Sequence, residues 1–426
     1  MHEPLIRAIH ASGRRFALAA TGGGASAIGW LLSVPGGSRS VLEAIVPYSN
    51  SALHDYLRAT PEQACSSRTA RAMAMVAYER ASRLAVAEDA KDAKEAEEPK
   101  DAKNAAHEAS CSSRDTVFGI GCTASLASDR PKRGEHRVHA ALQSGDRTVA
   151  VSLTLAKDLR DRATEERITS ELLLTLIAQA CAVDSQLPGG LVDSDRLERL
   201  EKVAPQAWRE LLAGRLGAAR WNARSPDRSP TPRIVFPGAF NPLHDGHRHM
   251  AQWASDHLGH PVAFELSIEN VDKPPLDFLE IETRGRQFEP PPGAPSSDDS
   301  VSAGDPAASD NPASAGGNPL WLTRAPTFVA KSGQFPDATF VVGADTIVRI
   351  ADPKYYGDSV ANRDVALQTL RDNGARFLVF GRLLSDSREF RTLDQLAIPP
   401  ALLALCSAVP ATEFREDVSS TELRQK

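Results

Sequence analysis

The sequence has 426 residues, 42% hydrophobic and 24% charged, with a formal net charge of −6. These values are typical of a globular protein of two or three domains, and the negative charge argues against nucleic acid or an anionic membrane as a partner. The scattered cysteines, without a C-x-x-C pair, argue against a zinc site or a disulfide framework and indicate reduced thiols in the cytoplasm. We find neither a signal-peptide pattern nor an apolar run long enough to span a bilayer.

Residues 1–183 predict an α/β domain. A short apolar strand at residues 16–20 leads through Thr21-Gly22-Gly23-Gly24 into a helix at residues 25–33. The later elements follow in chain order: a strand at 42–47, a long Ala- and Arg-rich helix at 61–87, a strand from 115, a hairpin pair at 135–142 and 147–155, and a helix at 165–182.

Two segments interrupt or leave this domain. Residues 88–114 are rich in Ala, Lys, Glu and Asp, include K-D-A-K twice and have no apolar face, which predicts a mobile insertion. Residues 184–232 predict a helical segment up to Trp221, followed by a Pro-rich linker. In this segment Trp208 and Trp221 are interpreted as packing anchors.

The first half resembles the C-terminal domain of the competence/damage-inducible protein family, which includes nicotinamide mononucleotide deamidases. The resemblance covers about residues 3–182 and depends on four short motifs. These are Thr21-Gly22-Gly23, Pro35-Gly36-Gly37-Ser38, Tyr48-Ser49-Asn50 and the Gly-rich strand at residues 119–123.

Two departures from that family indicate that the first half is not an amidase. Where the family has Glu-Ser-Cys before Thr-Gly-Gly, this chain has Leu18, Ala19 and Ala20, and a methyl group cannot replace the nucleophilic serine. The family's lysine falls at Leu53. We therefore favour a structural role that supports folding and homo-oligomer formation, with nucleotide binding as an alternative. A working amidase would need a relocated nucleophile, for which Ser49 or Ser38 would be the candidates.

The second half, residues 233–426, begins with the most informative stretch of the chain. Ile234-Val235-Phe236 predicts a buried strand, Pro237-Gly238 end it, and a helical pattern follows Gly246. Two histidines, His244 and His247, thus lie where a strand passes into a helix. A helix N-terminus suits phosphate, and two imidazoles there suit a phosphate that gains charge during a reaction.

Further strands predict an open α/β sheet. In such sheets, ligands bind beyond the carboxyl ends of the strands. A strand at residues 262–267 leads to Asn270 and Lys273, which we place near the pocket, although Lys273 fits a solvated loop equally well. Residues 287–318 are dominated by small and polar residues and predict a disordered insertion. A strand at 339–342 ends at Gly343-Ala344-Asp345, where Asp345 is a candidate ligand for a ribose or base, or a plain helix cap.

The stretch at residues 238–247 resembles the Gly-x-Phe-x-Pro-x-His-x-Gly-His signature of the nucleotidyltransferase superfamily at every fixed position. Residues 419–424, Ser-Ser-Thr-Glu-Leu-Arg, are similar to its Ser-Ser-Thr-x-x-Arg motif. The resemblance implies a Rossmann-like parallel sheet and adenylyl transfer, with His244, His247 and Arg424 as catalytic residues. The implied substrate-binding residues are Gly238, Ala239, Phe240, Asn241, Lys273, Gly343, Asp345, Ser419, Ser420 and Thr421.

The Gly-Ala-Asp segment resembles that of pyridine-nucleotide adenylyltransferases. It implies transfer from ATP, with Mg²⁺, to nicotinamide or nicotinate mononucleotide, and no metal bound by the protein itself. Two alternatives remain open. One is an adenylyl- or cytidylyltransferase for another phosphorylated molecule, such as phosphopantetheine. The other is a non-catalytic nucleotide-binding protein.

Overall fold

The computed structural model describes residues 2–95, 116–129, 133–223, 231–289, 318–383 and 390–415. The chain divides into two compact units. The first comprises Met1–Ala213 together with Asp272–Ile281, and the second comprises Gly214–Val271 together with Glu282–Lys426. Each unit is mixed α/β with its own sheet, as predicted. The two predicted insertions, 88–114 and 287–318, lie mostly outside the described residues.

The first unit contains a six-stranded sheet in the order β2-β1-β3-β4-β5-β6. Strand β1 runs parallel to β2 and β3, and the remaining neighbours are antiparallel. The predicted hairpin is confirmed as β4 and β5. The strands are β1 (Arg15–Thr21), β2 (Val41–Ile45), β3 (Val117–Ser125), β4 (His136–Ser144), β5 (Arg147–Leu155) and β6 (Arg196–Val203).

Helices cover both faces of this sheet. They are α1 (Glu3–Ala11), α2 (Ser26–Ser33), α3 (Asn50–Leu57), α4 (Ser67–Glu95), α5 (Arg162–Ala180) and α6 (Gln206–Leu212). Helix α4 packs closely against β3. A Cβ on Gly119 would lie 2.1 Å from the backbone nitrogen of Tyr78. A Cβ on Gly121 would lie 2.2 Å from the carbonyl oxygen of Ala70. The glycines of β3 therefore permit a close helix–strand approach. Because α4 continues to Glu95, the first residues of the predicted insertion at 88–114 are helical.

The predicted helical segment at 184–221 is confirmed only over α6 (Gln206–Leu212). It is wrong elsewhere: residues 184–195 are not helical, residues 196–203 form strand β6, and Ala218–Arg220 form a strand of the second unit. Leu197, Leu200 and Val203 are spaced by three residues, and this spacing imitates a helix. Eight residues of β6 instead pair with β5 in register, so pairing with a neighbouring strand overrides the local pattern. The prediction for Trp208 is confirmed, because its buried ring packs against Phe278.

A short segment of the second half of the sequence belongs to the first unit. Arg71 donates to both carboxylate oxygens of Asp277, at 2.6 and 2.8 Å, and also pairs with Glu280. The backbone N–H of Phe278 donates to Oγ1 of Thr148 at 3.0 Å. Residues 272–281 are therefore held by buried polar contacts within the first unit, which sequence boundaries at 183 and 233 do not anticipate.

The second unit contains a seven-stranded sheet in the order β15-β12-β11-β8-β9-β10-β7. Every pair is parallel except β7 with β10. The Rossmann-like parallel sheet is thus confirmed, and strand order reverses between β8 and β11. The strands are β7 (Ala218–Arg220), β8 (Ile234–Pro237), β9 (Val262–Ser267), β10 (Leu320–Thr323), β11 (Thr339–Gly343), β12 (Arg376–Phe380) and β15 (Cys406–Ala408), with a separate pair β13 (Arg382–Leu383) and β14 (Phe390–Arg391).

The helices of the second unit connect these strands. They are α7 (Asp245–Leu258), the end of α8 (Phe278–Gly285), α9 (Phe328–Gln334), α10 (Ala344–Ala351), α11 (Val360–Asp372) and α12 (Pro400–Leu403). Inside the sheet the fully buried carboxylate of Glu265 receives Nζ of Lys331 at 2.7 and 2.8 Å and the hydroxyl of Thr323. Both carboxylate oxygens of Glu265 thus accept from Lys331, and this pairing offsets part of the cost of their burial. Within the described ranges, no helix has the length and apolar character to cross a membrane.

Candidate functional site

Two histidines lie side by side at the end of the loop that connects β8 to α7. His244 is the residue before the helix, with extended backbone (φ −135°, ψ 170°), and His247 is the third residue inside it. Their rings stack with centroids 3.7 Å apart and planes inclined by 25°. The motif thus brings both imidazoles to one helix N-terminus, where the backbone dipole favours an anion.

The protonation state of His247 follows from its surroundings. The backbone N–H of His244 donates to Nδ1 of His247 at 3.3 Å, and the rings of Phe236 and Phe240 meet the imidazole edge-on. Burial, His244 and Arg382 together lower the pKa of His247 to about 3. The ring is therefore neutral at pH 7, and because Nδ1 accepts, its proton resides on Nε2. His247 offers a phosphate an N–H donor rather than a cation.

The loop before the histidines holds a strained residue. Phe240 has φ of +44°, a region that bulky residues rarely adopt, and its ring is 99% buried against the rings of Phe236, Phe264 and Phe288. A Cβ on Gly238 would lie 2.5 Å from the Phe240 ring. Aromatic packing therefore stabilises a backbone conformation that is unfavourable by itself, and such strain often occurs at functional sites.

Two further side chains fix the backbone of this loop. Nη1 of the buried Arg284 donates to the carbonyl oxygen of Ala239 at 3.0 Å. The amide of Gln287 makes two contacts with this loop: its nitrogen donates to the carbonyl oxygen of Phe240 at 2.9 Å, and its oxygen accepts from the backbone N–H of Leu243 at 2.8 Å. Gln287 thereby joins the two ends of the turn that leads to His244.

The point where strand order reverses brings a carboxylate and a cation to the same edge of the sheet. Gly343 ends β11, Asp345 lies in the first turn of α10, and Arg382 follows β12. Among the described residues, Oδ1 of Asp345 is buried and has no hydrogen-bond partner, and it lies 3.9 Å from Nε of Arg382. A Cβ on Gly343 would lie 2.5 Å from Oδ1 of Asp345, so glycine leaves room for this carboxylate. An unsatisfied acceptor at this edge suits a donor on a ligand.

The structure brings together many of the predicted site residues, but not all of them. Gly238, Ala239, Phe240, Asn241, His244 and His247 form one loop and helix start, and Gly343 and Asp345 lie at the strand-order reversal. Lys273 is exposed and belongs to the segment of the first unit, whereas the His244–His247 loop belongs to the second unit. Ser419, Ser420, Thr421 and Arg424 lie outside the described residues.

Sequence reasoning missed three residues that the structure places at or next to the loop. Arg382 follows Gly381 directly after an apolar strand, and a cation at a parallel strand end is a signal that the sequence contains. Arg284 and Gln287 carry no such signal. They lie some 40 residues from the loop in sequence, and only the fold brings them to it.

The turn at Thr21-Gly22-Gly23 in the first unit borders a pocket whose described lining residues include no pair of histidines. The pocket has a volume of about 360 Å³ and is bordered by Thr21, Gly22, Gly23, Tyr48, Arg162 and Glu166, among others. The carboxylate of Glu166 accepts from the backbone N–H groups of Gly24 and Ser26 at 2.8 and 2.9 Å, and Arg162 donates to the carbonyl oxygen of Gly22. Side chains of the same unit therefore occupy the N–H groups of Gly24 and Ser26 and the carbonyl oxygen of Gly22.

The two positions that the family resemblance would assign to an amidase serine and lysine lie in an apolar cluster. Ala19 and Leu53 are buried together with Leu57 and Met73. Of the alternative nucleophiles, Ser49 caps α3 by accepting from the backbone N–H of Ala52 at 3.1 Å. Neither Ser49 nor Ser38 borders the pocket described above. The described contacts thus offer no activated nucleophile at this turn.

The second unit has the fold and the anion-directed loop of a nucleotide-binding α/β domain. Residues 235–426 match the family model described as cytidylyltransferase-like. The match supports nucleotidyl transfer as the chemistry of this region, and it spans both the His244–His247 loop and residues 419–424. No curated protein matches the chain. Because the family match begins at residue 235, the resemblance of the first half to the competence/damage-inducible family stays a prediction.

Proposed function

We propose that the second half of the chain transfers an adenylyl group from ATP to nicotinamide or nicotinate mononucleotide, releasing pyrophosphate and forming NAD or its deamido form. The observation that carries this proposal is the pair of stacked imidazoles at the N-terminus of α7, in which Nδ1 of His247 accepts from the backbone N–H of His244. The preference for a pyridine mononucleotide is supported by the Gly343-Ala344-Asp345 segment at the strand-order reversal.

The reaction is an in-line displacement at phosphorus. An oxygen of the mononucleotide phosphate forms a bond to the α-phosphorus of ATP, and the bond from that phosphorus to the pyrophosphate oxygen breaks. No proton transfer and no covalent bond to the protein are required, so positioning and charge stabilisation supply the catalysis. The reaction thus needs hydrogen-bond donors and cations more than it needs a base.

Each residue of the site has a proposed part in this reaction. Nε2–H of His247 donates to a phosphate oxygen, His244 binds the neighbouring oxygen, and Arg382 balances the charge that develops on the phosphates. Asp345 accepts from a ribose hydroxyl or from the base. Ser419, Ser420, Thr421 and Arg424 are assigned to the leaving pyrophosphate on sequence grounds.

Mg²⁺ enters this proposal as part of the MgATP substrate. Among the described residues, no group of three His, Cys, Asp or Glu side chains is arranged to hold a metal ion. We propose that phosphate oxygens and water bind this cation, which is common for Mg²⁺ at nucleotide sites.

The test is a substrate matrix with the full-length chain. ATP or CTP is combined with Mg²⁺ and with nicotinamide mononucleotide, nicotinate mononucleotide or phosphopantetheine, and pyrophosphate and the joined product are quantified. We expect turnover with ATP and a pyridine mononucleotide. Turnover only with CTP, or only with phosphopantetheine, would replace the proposed substrates while keeping the reaction class.

A second measurement separates an enzyme from a nucleotide-binding protein. ATP binding is measured by calorimetry for the wild type and for His247→Ala. Binding by the wild type without turnover on any of the three acceptors would favour the non-catalytic alternative.

A further inference from the structure

Strand β6 forms one edge of the sheet in the first unit, and its side chains are open to solvent. It pairs with β5 on one side and is last in the strand order. Seven of its eight residues are exposed, including Leu197, Leu200 and Val203, at 40%, 61% and 55%. A long edge strand that carries exposed apolar side chains is a template for pairing with another strand.

The two faces of β6 follow from its register with β5. Leu197, Arg199 and Glu201 stand opposite Leu153, Val151 and Val149, which belong to the hydrophobic core beside α5. Glu198, Leu200 and Lys202 therefore project from the other face. Each face combines apolar side chains with charges of both signs.

The sequence of β6 is complementary to itself in one antiparallel register. When Leu200 is placed opposite Leu200 of a second copy, Arg199 stands opposite Glu201, Glu198 opposite Lys202, and Leu197 opposite Val203. All of these pairs are apolar–apolar or of opposite charge, and directly opposite residues share a face of the sheet. A two-fold axis through Leu200 repeats every contact, as a symmetric dimer requires.

We propose that β6 pairs antiparallel with β6 of a second copy of this chain, in the register centred on Leu200, and so joins two six-stranded sheets into one. A second copy of β6 is favoured over an unrelated strand as the partner because the charges of β6 complement one another in this register. The proposal does not depend on the proposed transferase activity.

The charged residues of β6 already have contacts within one chain, which the dimer would share or exchange. Arg199 pairs with Glu201 two residues along the same face, at 2.9 Å, and also donates to Oε1 of Gln179. Glu201 pairs with Arg147 at 3.2 Å. These side chains are 31–44% exposed, so water screens the contacts and their exchange costs little.

Charge reversal tests the proposal in solution. The mass of the full-length chain is measured by sedimentation equilibrium from micromolar to tens of micromolar, and we expect a dimer. Arg199→Glu and Glu201→Arg each place like charges opposite one another twice, so each weakens self-association by at least about tenfold. The double variant R199E/E201R restores both pairs and should restore the dimer.

The matched control is Arg7→Glu, a charge reversal on the exposed face of α1 that should leave the mass unchanged. Thermal unfolding of every variant shows whether the fold is retained. A wild type that stays monomeric over the whole range overturns the proposal. A dimer that both single variants leave intact overturns it as well.

Cysteine cross-linking tests the register. Leu200→Cys places two thiols opposite each other at the two-fold axis, with Cβ atoms about 5 Å apart. Val203→Cys alone places its two thiols about 20 Å apart, at about 3.4 Å per residue. We expect a disulfide-linked dimer from the first variant and none from the second or from the wild type, whereas the double variant L197C/V203C cross-links through the 197–203 pairs. Cross-linking of V203C alone, or none by L200C, rules out this register.

Discussion

Each unit contains an apolar strand, a loop and a helix in succession, but different side chains lie at the start of the two helices. In each, an apolar strand leads through a glycine-containing loop into a helix: β1 into α2, and β8 into α7. In the first unit, the carboxylate of Glu166 receives the N–H groups of Gly24 and Ser26 before α2 begins. In the second unit, the imidazoles of His244 and His247 occupy the start of α7.

This difference shows what a strand–loop–helix unit needs in order to act on an anion. Free N–H groups and the helix dipole attract any anion, including a carboxylate of the same chain. Glu166 is such an internal anion, and the side chains at Ala19 and Leu53 are apolar. In the second unit the start of α7 carries two imidazoles, and Arg382 lies at the strand-order reversal. The backbone motif is shared, and the side chains decide which unit can hold a phosphate.

The largest effect on activity is expected from the removal of an imidazole. His247→Ala deletes the Nε2–H donor and should lower kcat of the transferase by about 10²–10³-fold, as removal of one preorganised donor does elsewhere. Steady-state pyrophosphate release measures this loss. His260→Ala, an exposed histidine beyond the far end of α7, is the matched control. Equal activities of the two variants would remove His247 from the mechanism.

The neutral state of His247 gives a second prediction, about stability and pH. Its pKa is about 3 in the folded protein and near 6.5 when exposed, so the unfolded chain takes up the proton first as the pH falls. The stabilisation is fully present above pH 6.5 and is lost as the pH falls towards 3. Within this window, the free energy of unfolding should fall by up to about 1.4 kcal/mol per pH unit more in the wild type than in His247→Gln.

Urea unfolding of both proteins at several pH values between 7 and 4 measures this difference. Parallel curves for the wild type and the variant would show that His247 has an ordinary pKa. In that case it would act as a cation below neutral pH, and the assignment of the proton to Nε2 alone would be wrong.

The third prediction concerns the side chain that fixes the turn. Gln287→Glu keeps the oxygen that accepts from Leu243 but loses the nitrogen that donates to Phe240. The loop should relax, and kcat should fall about tenfold, the equivalent of about 1.4 kcal/mol, with a smaller change in KM. Gln252→Glu on the exposed face of α7 is the control. A change in KM alone would assign Gln287 to ground-state binding instead.

The sequence predicts the strand, loop and helix around His244 and His247 well because several local rules agree there. A strand, a Pro-Gly break and a helix start fix the positions of His244 and His247 along the chain. Gly343 and Asp345 follow from the rule that ligands collect at the ends of parallel strands. Each of these signals depends on neighbouring residues alone.

The parts that sequence does not predict depend on contacts between distant residues. Strand β6 has helix-like spacing, and only its pairing with β5 shows that it is extended. Residues 272–281 follow β9 directly, yet Arg71 and Thr148 hold them in the first unit. Gln287 and Arg284 are ordinary polar residues until the fold brings them to the loop. No local periodicity encodes such contacts.

A fourth prediction returns to the first unit. Glu166→Gln replaces one carboxylate oxygen by an amide nitrogen, so one of the N–H groups of Gly24 and Ser26 loses its acceptor. The free energy of unfolding should fall by about 1 kcal/mol, as for the loss of one charge-assisted hydrogen bond or helix cap. Transferase activity should not change. Chemical denaturation and the pyrophosphate assay check the two parts, and a loss of activity at equal stability would give Glu166 a role in catalysis.

The smallest effect is expected from a serine introduced at position 19. Ala19→Ser places a hydroxyl at the position that the family resemblance assigns to the amidase nucleophile, and we expect no ammonia release from nicotinamide mononucleotide. Ala19 is fully buried in the cluster that includes Leu53, so the new hydroxyl would lie among apolar side chains without a base. Adding Leu53→Lys should destabilise the unit, because an unpaired lysine would be buried in the same cluster. Ammonia release by the single variant would show that the first unit retains a catalytic base and lacks only the serine for amidase activity.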